Sequence, residues 1–234
     1  MRHPEHHIFQ HTPDSLRAWC DDHGMKPFRA QQILEWVYAR GVSDPAQMTN
    51  LSASDRATLT RDMTFLSGDV LQHQIASDDT QKLLVQWWEG GAPAPDSPVG
   101  SRPSETTTDA PHDPGVRSSL PLLHQTPNAP AAATIAPDPR RQTECVMIPS
   151  LDPSGPRKTA CISSQVGCPV GCRFCASGLG GLDGNLNAGR IVEQVWRLAR
   201  LPGVGRISNV VFMGMGEPLA NFAAVTHAVR TLAA

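Results

Sequence analysis

Cys168, Cys172 and Cys175 stand within eight residues of one another, in the run Cys161-Ile-Ser-Ser-Gln-Val-Gly-Cys168-Pro-Val-Gly-Cys172-Arg-Phe-Cys175. This C-x3-C-x2-C spacing constrains the chain more than any other feature. The segment has to form a loop whose thiols converge on one ligand. Cys thiolates at such short spacings hold iron–sulfur clusters. A cubane cluster has four irons, so three cysteines leave one iron open to a substrate or cofactor. Gly167 and Gly171 allow tight folding of the loop, because glycine reaches positive φ without strain. A structural zinc site is the alternative. Zinc takes four ligands, usually in C-x2-C pairs. Here there is one C-x2-C and no His between Cys161 and Met213, although Cys161 or Cys145 would supply a fourth thiolate. The spacing favours the open iron–sulfur cluster over zinc.

The six cysteines, three of them in one cluster, do not form the dispersed framework of a small disulfide-stapled domain. The N-terminal residues lack the apolar run of a signal peptide, and no stretch reaches the length of a membrane span. A cytoplasmic protein with reduced thiols and no membrane association is expected. The 234 residues suffice for one or two domains. The net charge of −2 is unevenly spread. Residues 1–66 carry −1, residues 67–139 carry −6, and residues 140–234 carry +5. The basic excess accompanies the cysteine loop, where a polyanion would be drawn. A solvated helix face bearing Arg190, Arg197 and Arg200 accounts for it equally well.

Along the chain, three helices are expected before residue 66. The first spans 14–24 with Asp14 as N-cap and Gly24 as its stop. The second spans 27–40 with Phe28, Ile33, Leu34, Val37 and Tyr38 on its apolar face. The third is capped by Ser52 or Ser54. Cys20 reads as a packing residue. Residues 69–76 and 81–88 read as strands joined by Ser77–Thr80, with Val70, Gln72, Gln74 and Leu83, Val85 alternating. Trp87-Trp88 reads as packing at a strand end rather than an RNA-stacking pair. Residues 91–141 hold 11 of the 21 prolines. Such a composition buries too little apolar surface to offset chain entropy, so a disordered insert is expected. Residues 143–149 should pair with 81–88. Thr159–Ser163 should be a strand leading into the cysteine loop, 187–201 an amphipathic helix, Ile207–Met213 a buried strand, and 222–233 a helix. That order predicts parallel strands joined by crossovers.

Several motifs beyond the cysteines fall in a fixed order: Cys161 to Cys168, Gly178, Asn185-Leu186, Ile191-Val192-Glu193-Gln194, and Gly214-Met215-Gly216-Glu217-Pro218-Leu219. With Phe174 before the last cysteine, the series resembles the RlmN/Cfr family of radical S-adenosylmethionine (SAM) enzymes, which methylate an adenine ring carbon in RNA. Pro27–Ile33, Trp36 and Met48–Ser52 resemble that family's N-terminal accessory domain, with Arg29 and Gln32 as candidate phosphate contacts.

The resemblance implies an α/β fold: a partial radical-SAM barrel (159–234), preceded by a helical RNA-binding domain (1–66) and a β-hairpin extension carrying the insert (67–158). It implies a [4Fe–4S] cluster on Cys168, Cys172 and Cys175, and SAM held by Gly216, Glu217 and Phe174. It makes Glu144 a proton acceptor and Cys161 a resolving thiol. Both have bland readings, an exposed strand residue and a buried strand cysteine. Arg190 stands where the family commonly has Glu, and Cys145 where it commonly has Thr. The implied partners are 23S rRNA, tRNA and an electron donor such as flavodoxin, with a monomeric protein. Adenine carbon 2 is the expected target; a carbon-8 enzyme and a non-catalytic cluster- or metal-binding module are the alternatives. No cysteine follows Cys175, so the family's methyl-carrying cysteine is absent from these residues. The stretch is expected to be truncated or completed by another chain, and inactive alone.

Overall fold

The computed structural model describes residues 1–91, 105–106, 141–150 and 157–234. Helix α1 (Pro13–Asp22) is capped by Thr12, whose side chain accepts from Ser15 N. Asp14, the expected cap, lies inside the first turn; Thr12 wins because Ser15 returns a bond to its backbone and Pro13 suits the first helical position. Helix α2 (Arg29–Leu34) runs on into a wider π-helical turn, Glu35–Ala39, that ends before Gly41. Ser52 caps α3 (Ala53–Asp62), as one of the two candidates required.

Strands β1 (Gly68–Ile75) and β2 (Gln81–Trp87) form the expected antiparallel hairpin. On β2, Gln81, Leu83, Val85 and Trp87 alternate inward. On β1 the expected alternation fails. A bulge between Val70 and Gln72 shifts the register, so His73 is buried and Gln72 and Gln74 face solvent. Trp87 packs inside and donates to Thr143 Oγ1 at 2.9 Å, while Trp88 donates to Asp69 at 2.7 Å. The expected disordered insert lies outside the described residues, apart from its two end residues and β3 (Glu105–Thr106), which runs parallel to β1.

β4 (Gln142–Pro149) pairs antiparallel with β2, and β5 (Lys158–Cys161) antiparallel with β4. A small ladder of β6 (Gln165–Gly167) and β7 (Leu182–Asn185) brackets the cysteine loop. Helix α4 (Ala188–Ala199) then leads to β8 (Asn209–Val211), parallel to β5, and α5 (Phe222–Ala233) follows. Among the described residues the main sheet has six strands in the order β3-β1-β2-β4-β5-β8. β8 is shorter than the apolar run predicts and half-exposed, because its one neighbour among the described residues, β5, offers three residue pairs. Past Val211 the backbone leaves the ladder to meet Ile162 and Ser163.

One apolar core runs through all of this. It includes Phe9, Leu16, Ile33 and Leu59 from the helices, Leu83, Val85 and Met147 from the sheet, and Ile162, Ile191 and Leu198 from the strand–helix unit.

Candidate active site

Glu144 and Cys161 sit on neighbouring strands. Val146 pairs with Cys161, so period-2 alternation puts Glu144, Val146 and Cys161 on the same open face of the sheet. Cys145 and Met147 point the other way, into the core. Lys82 Nζ lies 2.9 Å from Glu144 Oε1. The spacing of the sequence carried no signal for this lysine, because it comes from β2. Cys161 is half-buried; burial pushes its thiol up, and a backbone hydrogen bond at Met213 offsets part of that.

Beyond Cys161 the backbone makes a knot centred on Ser163. Its N–H donates to Gln194 Oε1 and its carbonyl accepts from Gln194 Nε2, both at 2.9 Å. Its hydroxyl donates to the Glu144 carbonyl at 2.6 Å and accepts from Met215 N at 2.8 Å. One serine therefore ties β4, α4 and the Gly214–Glu217 turn together. Gln165 continues the join, accepting from Glu217 N at 2.8 Å. Asn221 Nδ2 donates to the carbonyls of Ser164 and Leu186, each at 2.8 Å. Ser163, Gln165 and Gln194 lie inside the ordered motifs, which was the available signal; their roles as joints were not legible there.

The three cysteines are free thiols on the loop that follows. Gly167 takes φ +75°, and a Cβ there would collide with the Gly181 carbonyl. Cys168 N donates to that carbonyl at 3.1 Å, and Cys175 N to the Cys172 carbonyl at 3.1 Å. Among the described residues no group of three or more His, Cys, Asp or Glu side chains is gathered around a metal position. The structure thus puts the cysteines on one loop without closing their thiols on a common centre. The donor set still fits a cluster: three soft thiols unspent on disulfides, on one partly exposed loop. Phe174 is 94 % exposed on the same loop.

Glu217 caps the short turn Pro218–Asn221, and one carboxylate oxygen accepts from Leu219 N at 2.9 Å. Arg29, a candidate phosphate contact, is spent internally. It pairs with Asp55 at 3.2 Å and donates to Gln32 and the Asn50 carbonyl.

Comparison with known proteins follows the same lines. Residues 7–64 match the family described as ribosomal RNA large subunit methyltransferase N-terminal domain. The chain is 33% identical over 226 residues to a probable dual-specificity RNA methyltransferase RlmN of Rhodopirellula baltica, covering 96% of this chain and 46% of that protein. It is 35% identical to the counterpart from Chloroherpeton thalassium, covering 99% and 51%. A crystal structure of a radical SAM methyltransferase from Sphaerobacter thermophilus matches 98% of this chain and 52% of its own, with a TM-score of 0.68 and 28% identity. The chain is similar to these RlmN proteins over nearly its whole length, and it spans about half the length of the curated relatives it matches.

Proposed function

We propose that this chain carries the cluster- and SAM-binding portion of a methyltransferase that acts on carbon 2 of an adenine in 23S rRNA and tRNA. The observation that carries the reading is the bonding of the Gly214–Glu217 turn to Ser163 and Gln165, at the root of the loop that bears three free thiols. Two segments some 50 residues apart, each a ligand-binding motif by resemblance, meet at the C-terminal ends of parallel β5 and β8. Ligand sites of parallel α/β folds gather at such ends.

In this reading Cys168, Cys172 and Cys175 hold a [4Fe–4S] cluster. When bound, that cluster supplies the electron that splits a carbon–sulfur bond of SAM. Glu217 accepts hydrogen bonds from the SAM ammonium, Gly216 lets the backbone approach, and Phe174 lies against the cofactor. Glu144, steadied by Lys82, takes a proton from the substrate, and Cys161 on the same sheet face serves as resolving thiol. Residues 1–66 form a module that holds RNA, 67–158 the hairpin extension, and 159–234 the barrel portion. The protein is read as cytoplasmic and monomeric, with a flavodoxin-like electron donor; among the described residues no helix is long and apolar enough to cross a membrane. Carbon 2 rather than carbon 8 rests on the likeness to RlmN.

Anaerobic reconstitution with iron and sulfide tests the reading. One [4Fe–4S] cluster per chain is expected, and replacing any one of Cys168, Cys172 or Cys175 by Ala should abolish the brown absorbance. Tetrahedral zinc with no iron uptake would overturn it.

A further inference from the structure

Gln165 is fully buried, yet its amide is used at both ends. Oε1 accepts from Glu217 N at 2.8 Å, and Nε2 donates to Asn185 Oδ1 at 2.7 Å. Its backbone pairs with Asn185 in the β6–β7 ladder, and its N–H reaches the Met215 carbonyl at 3.3 Å. The aliphatic part of the side chain fills the space beside Gly216. A Cβ on Gly216 would stand 2.5 Å from Gln165 Cβ, and its φ of +96° already favours glycine. Gln165 is thus a rigid strut with β7 at one end and the Glu217 peptide at the other. It stands three residues before Cys168, so the same residue roots the cysteine loop.

We propose that Gln165 is a positioning residue for SAM, setting where the Glu217 carboxylate stands relative to the thiol loop. The inference rests on the SAM reading of Glu217 given above. Its physical basis is that the side chain of a turn residue goes where its peptide is held. Among the described residues the Glu217 N–H has one acceptor, the Gln165 amide oxygen; Gln165 is buried and Glu217 half-buried. With that acceptor gone the peptide is free to rotate, and Gly216 offers little resistance because it lacks a Cβ. Ser163 and Asn221 hold the flanks of the turn at Met215 and beyond Pro218, so the loss is confined to the Gly216-Glu217 peptide.

The test uses the reconstituted chain with three variants: Gln165→Met, which keeps the shape and removes both hydrogen bonds; Glu217→Ala; and Leu59→Ala, a core change in α3 that lowers stability far from the turn. SAM affinity is measured by equilibrium dialysis, and the reduced cluster is followed by EPR with and without SAM. Unaltered protein should show a SAM-dependent EPR change, lost in Glu217→Ala. Gln165→Met should keep its iron and sulfide but bind SAM about tenfold more weakly, as expected for losing a partly buried hydrogen bond, with the EPR change altered even at saturating SAM. Leu59→Ala should melt lower with normal SAM affinity, which separates positioning from general loss of stability. If Glu217→Ala loses SAM while Gln165→Met binds normally, the positioning role falls and the SAM reading stands. If the unaltered chain shows no SAM response, or Glu217→Ala responds normally, both fall. If Gln165→Met does not fold, Asn185→Ala, which removes only the far anchor, should show the same effect in smaller measure. Normal SAM affinity and a normal EPR change in that variant would overturn the strut.

Discussion

Two cysteines one residue apart in pairing register have opposite surroundings. Cys145 is 1 % exposed, and burial pushes its thiol up to about 12. Cys161 faces the open side of the sheet with Glu144. A thiol reacts as its thiolate, and burial in apolar surroundings suppresses that form. Cys145 is therefore a core residue, although in sequence it stands directly beside Glu144. Cys20, fully buried in α1, is another; burial raises its thiol to about 11. Alkylation of the cluster-free protein at pH 8 with iodoacetamide should label exposed Cys172 readily and leave Cys145 and Cys20 unlabelled until denaturant is added. Peptide mass spectrometry reads the order. Early labelling of Cys145 would show that the core-facing side of β4 is open.

Helix α4 is the element on which the whole arrangement turns. One face carries Gln194 to the Ser163 knot; another carries a buried charge cluster. Glu193 accepts from Ser67 Oγ at 2.7 Å, contacts His7 Nε2 at 3.0 Å and pairs with Arg197 at 2.7 Å. Burial would raise the Glu193 carboxyl, but Arg197, His7 and Ser67 outweigh it and hold it at about 2. Arg190 is also buried. It donates to the Trp88 carbonyl and to Ser67 Oγ, and burial lowers it to about 10, which leaves it cationic at neutral pH. The position that departs from the expected glutamate is thus a structural clasp. Trp196 and Arg200 donate to the Val37 carbonyl, fastening the same helix to the end of the α2 turn.

Removing one partner of a buried ion pair strands the other, so Glu193→Gln should cost about 3–5 kcal/mol in urea unfolding. The acid side follows by linkage. Glu193 titrates near 2 in the fold against an ordinary 4.5, so its stabilisation is complete above 4.5 and is lost as pH falls toward 2. His3 and His11 are lowered to about 4 from 6.5, mainly by burial, so each costs stability as pH falls from 6.5 to 4. Stability of the unaltered protein should decline from pH 6.5 downward. In Glu193→Gln the decline below 4.5 should be shallower; an identical slope would show that Glu193 is not held ionised.

At the scale of the molecule, two facts bear on the long polar segment. Gln86 near the end of β2 pairs directly with Gln142 at the start of β4. The strands flanking residues 91–141 are therefore already neighbours, and a short turn from Gly90 to Gln142 spans the gap. Loop-closure entropy changes slowly with length, so shortening the connection does little to stability. Deleting 91–141 also removes the two-residue edge strand β3, a small loss. The melting temperature should move by no more than about 2 °C, a shift worth about 0.5–1 kcal/mol at this size. A large drop in a thermal scan would show that the segment contributes to the core. Because the apolar core is continuous from Phe9 to Leu198, the shortened protein should still unfold in one transition.

Local pattern was enough to locate most elements. The alternation of Leu83 and Val85, the Ser52 cap and the apolar face of α4 are short-range signals, and each element forms where its signal lies. The C-x3-C-x2-C run marked the loop for the same reason, since the thiols are neighbours along the chain. Pairing information is absent from such signals. Only the folded sheet put Lys82 on Glu144, turned Cys145 inward and Cys161 outward, and shortened β8 to the length that β5 can partner. Only tertiary packing made Arg190 a buried clasp and spent Arg29 on Asp55. A hydrogen bond between residues 52 positions apart, such as Gln165 to Glu217, depends on where two backbones meet, and that is decided by the core they share.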